Sequence, residues 1–143
     1  MKLDFFFLAD HAEVDEAGKL NIRGGAISHV VLPTIPGAVP ELIAVGRFLV
    51  EDEDFDRAQL LRTTLRDPNG GLLTAVDGQV TPRRRGPAMH PDERAATVLL
   101  VNFGARVFNE YGVHRVDIEV NGVRYTSFGF AVQPEPTVEL QPT

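Results

Sequence analysis

Arg115-Val116-Asp117-Ile118-Glu119-Val120-Asn121-Gly122 is the stretch that decides the fold class. Val116, Ile118 and Val120 alternate with Arg115, Asp117 and Glu119, the period-two pattern of a strand with one buried and one wet face. Asn121-Gly122 is the preferred two-residue type I′ hairpin turn, because both of its positions need φ > 0. Residues 124–132 return as the partner strand, with Phe128, Phe130 and Val132 on one face. Entered from Tyr111-Gly112, this hairpin resembles the closing strand pair of immunoglobulin-like sandwiches.

The same punctuation runs back along the chain. Residues 3–14 read as a strand apolar on both sides, with Leu3, Phe5, Phe7 and Ala9 on one face and Phe6 and Leu8 on the other. Such a strand is covered on both faces or lies at an interface, so a homodimer is one expectation. Asp15-Glu16-Ala17-Gly18 is a turn, residues 19–23 return, and Gly24-Gly25 marks a bulge or a close backbone approach. Residues 26–32 continue as strand. Prolines at 33, 36 and 40 mark an irregular connection. Strands follow at residues 42–50 and 59–65; for the latter a helix competes, and the β-branched Thr63-Thr64 favours the strand. Asp67-Pro68-Asn69-Gly70-Gly71 is a turn, and Leu72, Val76 and Val80 share the next strand face. A polar loop at residues 82–94 precedes a strand at residues 96–103. About eight strands and no secure helix imply an all-β fold, an antiparallel β-sandwich of immunoglobulin-like or related Greek-key type. It would span residues 1–133 as one domain, with residues 134–143 an extended tail holding three prolines.

Composition narrows the chemistry. A chain of 143 residues with 43% hydrophobic and 24% charged residues has ordinary globular usage and fits one domain. It has no cysteine, which removes disulfides, thiolate metal sites and cysteine nucleophiles. Asp4 and Asp10 bracket the apolar run at residues 5–9, leaving it too short for a signal-peptide core. No stretch approaches the roughly 18–20 apolar residues that span a bilayer. The expectation is a soluble, cytoplasmic protein without membrane contact. A net charge of −6 disfavours nucleic acid, and no aromatic residue interleaves with the arginines.

The segments Leu3-Asp4-Phe5, Leu8-Ala9-Asp10, Ala12-Glu13-Val14, Gly18-Lys19-Leu20 and Gly24-Gly25 resemble a bacterial family of small β-sandwich proteins of unknown function. Residues 112–122 fit the pattern more loosely. Family members often carry an aromatic residue shortly after the double glycine, where this chain has Ala26. The resemblance implies a sandwich and brings no catalytic residue.

Four side-chain groupings are candidate sites. Asp10, His11 and Glu13 could begin a metal site, with His11 and Glu13 on one strand face and Asp10 on the other; His29 or His90 would have to complete it. In Glu51-Asp52-Glu53-Asp54-Phe55-Asp56, the alternating Asp52, Asp54 and Asp56 suggest calcium, although the glycine and bidentate glutamate of an EF-hand are missing. Arg83, Arg84 and Arg85, with Arg94, form the one basic cluster, suited to an anion or an acidic partner. Ser28 and His29 are adjacent, and strand alternation would point them to opposite faces. No phosphate loop, nucleophile elbow or dinucleotide fingerprint occurs. The functional expectation is a non-catalytic binding or interaction module that recognises a protein partner or small ligand through its loops. The alternatives are a structural subunit of a larger assembly, or a small hydrolase or isomerase using carboxylates and His11 or His29.

Overall fold

The computed structural model describes residues 1–84 and 95–135. Within them run eleven strands: β1 (Lys2–Val14), β2 (Leu20–Gly25), β3 (His29–Val31), β4 (Gly37–Val39), β5 (Ile43–Leu49), β6 (Gln59–Arg66), β7 (Leu72–Val80), β8 (Ala96–Asn102), β9 (Arg106–Phe108), β10 (Gly112–Val120) and β11 (Val123–Gln133). A single 3-10 turn covers Asp52–Asp54. Three of the eleven, β3, β4 and β9, are three residues long, which accounts for the excess over the eight that periodicity suggests. Arg85, His90 and Arg94, and the proline-rich tail from residue 136, lie outside the described residues.

One sheet has the order β2-β1-β5-β8, a second β3-β11-β10-β6-β7, and β4 pairs with β9 apart from both. Every pairing is antiparallel except that of β3 with β11. The β10–β11 hairpin closes on Asn121 (φ 51°) and Gly122 (φ 80°), the double positive φ of a type I′ turn. The helical alternative for residues 59–65 falls away, because β6 is laddered on both sides, to β10 and to β7.

The register of the four-stranded sheet places Leu8, Ala44 and Val101 side by side. These residues meet Leu65, Val116, Phe130 and Val132 of the five-stranded sheet in one core. Phe48, Leu61, Ile118 and Val120 extend that interior. The opposite side of the four-stranded sheet carries a second cluster, in which Ala9, Ile43 and Val45 are buried beneath Phe5, Phe7 and Leu100. A register shift between Leu3 and Phe5 corrects one face assignment. The extra residue turns Leu3 away from Phe5 and Phe7 and packs it with Phe48 and Phe6.

Residues 26–32 do not form a continuous strand. Ala26 takes φ 56°, and only His29–Val31 returns to a ladder. No helix among the described residues is long and apolar enough to cross a membrane.

Candidate functional site

Two of the candidate sites meet each other at the Met1 end of β1. Arg83 lies 3.5 Å from Asp56, and Arg84 lies 3.6 Å from Asp52 while its guanidinium covers the Phe55 ring at 4.5 Å. Asp54 turns the other way, 2.8 Å from the Met1 amino group, and accepts the Glu51 N–H at 3.0 Å. The three carboxylates therefore face three separate cations. Burial opposes the Asp54 charge, but the Met1 amine, the Glu51 N–H and the field of Arg57 outweigh it and hold the carboxyl below its usual range. Tyr125 donates to the Met1 carbonyl at 2.7 Å. Burial, with the charges of Asp54 and Glu51 beside it, pushes the Tyr125 phenol up. Among the described residues no group of three or more His, Asp or Glu side chains is placed to hold a metal ion.

The polar end of β1 is arranged differently. His11 Nδ1 bonds Glu41, at 3.1 and 3.3 Å to its two oxygens, and His11 Nε2 lies 3.8 Å from Glu13. Sequence reasoning missed Glu41. It sits 30 residues from His11, just before β5, where the β1–β5 ladder that ends at Ala9 and Ile43 brings the two segments together. Asp10 points to the other face, as strand alternation requires. There the chain gives it room: Gly24 has φ +60°, and a side chain on Gly24 would run into the Asp10 carboxylate. The double glycine is thus the close backbone approach that the sequence marks.

Around Asp10 the surface opens into two adjoining clefts. One, of about 720 Å³, is lined by Asp10, Arg23, Val39, Pro40, Glu41, Asn102 and Gly104. The other, of about 400 Å³, is lined by Asp10 together with the segment from Gly24 to Val31. Val39 also lines both, so the proline-marked connection contributes to the site. Ser28 and His29 lie in the second cleft, and Ser28 Oγ approaches His29 Nδ1 at 3.2 Å. That contact corrects the expectation that the two diverge. Ser28 precedes β3 rather than lying in it, so strand alternation does not apply. His114, by contrast, is core: it donates from Nδ1 to the Gly112 carbonyl at 3.1 Å and packs edge-on against Phe108.

Residues 4–133 match the model of a family of unknown function, DUF6941. The chain belongs to that family. The match runs from β1 to the end of β11, so this DUF6941 member carries the cleft and both charged loop segments that have been described within the family's bounds. No curated protein and no solved structure matches it significantly.

Proposed function

We propose that this DUF6941 member is a non-catalytic binding module that takes a polar ligand, or a partner's loop, in the cleft around Asp10. One observation carries the reading: Asp10 and Arg23 line one cleft with Glu41 and Asn102, and neither forms an ion pair among the described residues. A carboxylate and a guanidinium that line the same cleft, unpaired among the described residues, suit a ligand bearing both a cationic and an anionic group. The Arg23 fork would take a carboxylate bidentately, and Asp10 would take an amine or guanidinium. The cleft volume falls within the usual ~300–1,000 Å³ of ligand sites. Two sheets sharing a core, with β1-β5-β8 on one and β7-β6-β10-β11 on the other, support an immunoglobulin-like sandwich. In that fold, loops clustered at the sheet ends present recognition groups on a rigid support.

The test is a melting-temperature panel of zwitterionic amino acids, short peptides and their singly charged analogues. A binder at 100 times its Kd adds about 2.7 kcal/mol. Stabilisation of the wild type that disappears in both Asp10→Asn and Arg23→Gln supports the reading. A panel without any shift, together with identical host-extract pull-downs from wild type and both variants, ends it.

Ser28 and His29 favour a second reading, a small hydrolase with Ser28 as nucleophile and His29 as base. Hydrolysis of activated esters that is lost in Ser28→Ala would support it. Turnover no different from Ser28→Ala removes it.

A further inference from the structure

β7 is an edge strand of the five-stranded sheet, and the ladder beside it fixes which of its backbone groups are unused. Leu60 of β6 donates its N–H to the Asn121 side chain, and its C=O accepts the Asn121 N–H, so both groups point towards the β10 side. Bonding directions alternate along an antiparallel strand. Leu61, Thr63 and Leu65 therefore turn to β7, where they pair with Gly78, Val76 and Thr74. The residues between these, Ala75 and Asp77, and Gln79 beyond them, aim their N–H and C=O groups away from the sheet. Among the described residues no backbone group bonds them. The side chains leave this edge open as well. Asp77, Gly78 and Gln79 are exposed, a Cβ on Gly78 would meet nothing within 4 Å, and Leu72 is 50% exposed.

We infer that two copies of the chain join edge to edge through β7, antiparallel about a twofold axis at Val76, so that their five-stranded sheets run on as one. Register selects both the partner and the axis. Laying Leu72–Val80 over its own full length puts Val76 on Val76 and sets Ala75 of each copy opposite Asp77 of the other. Both are outward residues, so each such pair exchanges two bonds, about four across the axis. Sliding by one residue sets outward groups against inward ones and forms no ladder. Sliding by two either sets Asp77 against Asp77, like charges directly opposite, or shortens the overlap. The full overlap also brings Leu72 and Leu73 beside Val80 and Gln79 of the second copy. β7 carries neither lysine nor proline, residues that commonly guard an edge strand. Asp77 lies 3.6 Å from Arg62 of its own copy, which limits repulsion between the two Asp77 side chains across the axis. No residue lining the two clefts around Asp10 belongs to β7, so the pairing does not depend on the binding reading.

Sedimentation velocity on the full chain at micromolar concentrations tests it, together with cross-linking. The wild type should run as a dimer. Asp77→Pro removes an N–H that the monomer leaves unused, at an edge position where proline is tolerated, and should run as a folded monomer. Ala75→Asp sets like charges opposite each other twice and should weaken the dimer about fivefold, whereas Ala75→Lys should tighten it. The chain has no cysteine, so Val76→Cys supplies the only thiols. Opposed across the axis with Cα atoms about 4.5 Å apart, they should form a disulfide-linked dimer on mild oxidation, and Leu60→Cys should not. Should Asp77→Pro fail to fold, the Ala75 variants and the cross-link decide. A wild type that stays monomeric overturns the inference. So does a dimer indifferent to both Ala75 variants, or a Val76→Cys chain that cross-links no better than Leu60→Cys.

Discussion

A side chain at Gly24 would meet both the Asp10 carboxylate and an unfavourable φ of +60°. Left-handed backbone costs a non-glycine residue about 1–2 kcal/mol, so Gly24→Ala should lower stability by at least that much in urea denaturation. It should also push Asp10 out of the cleft and weaken any ligand whose cation Asp10 holds. Asp54 and Asp15 make the pH prediction. The Lys19 N–H leads the groups that lower Asp15, with Asn21 and Ala17 assisting, and Asp54 is lowered for the reasons given above. A carboxyl with a depressed folded pKa adds stability above its unfolded value near 3.9 and loses it as pH falls through the folded value. The melting temperature should therefore drop on acidification below about pH 4. Asp54→Asn should flatten that limb while costing about 1–3 kcal/mol at neutral pH through lost charged hydrogen bonds. Tyr125, pushed up by burial, acts in the opposite direction. Its contribution is complete below about pH 10 and is lost as pH rises through the folded value.

At the scale of elements, Asn121 joins two hairpins. It supplies the positive φ of the β10–β11 turn, and its side chain accepts the Leu60 N–H at 2.9 Å and donates to Gln59 at 2.8 Å. Asn121→Gly keeps the turn and loses the latch, whereas Asn121→Ala loses both. The first should cost about 1 kcal/mol and the second about 1–2 kcal/mol more, as read from chemical denaturation midpoints. The turn was legible because Asn-Gly signals it locally. The latch was not, because Gln59 lies 62 residues away. The same division holds across the fold. Asp67–Gly71, the β10–β11 hairpin and β5 follow from local chemistry. The Leu3 bulge, the parallel β3–β11 contact and the short β4–β9 pair depend on partners distant in sequence, and no periodicity announces them. Asp10 and Gly24-Gly25 could be marked from the sequence, whereas the Glu41 bonded to His11 lies just before β5 and meets it only through the pairing of β5 with β1.

Across the whole molecule, charge is used differently at the two ends of β1. At the Met1 end, acidic and basic side chains from segments that the sequence presents as rival binding sites neutralise one another. Asp52 and Asp56 face Arg84 and Arg83, and Asp54 is occupied by the Met1 amine. At the Asp10 end, Asp10 and Arg23 both line the cleft and make no ion pair among the described residues. Exposure explains why the first arrangement contributes little energy. Arg83 is 75% and Asp52 90% exposed, and surface pairs of this kind give about 0–1 kcal/mol. Calcium would have to displace these cations and draw together three carboxylates that point apart, and among the described residues no group of three or more such side chains is placed to hold a metal ion. Millimolar calcium should therefore leave the melting temperature unchanged. Replacing Arg83 and Arg84 together by serine should shift stability by no more than about 1 kcal/mol and leave ligand binding at the cleft intact. Asp10→Asn in the same assay should abolish that binding while leaving the fold stable. If the arginine variant loses the ligand and the Asp10 variant keeps it, recognition belongs to the Met1 end, and the self-paired loops exchange their internal partners for an external one.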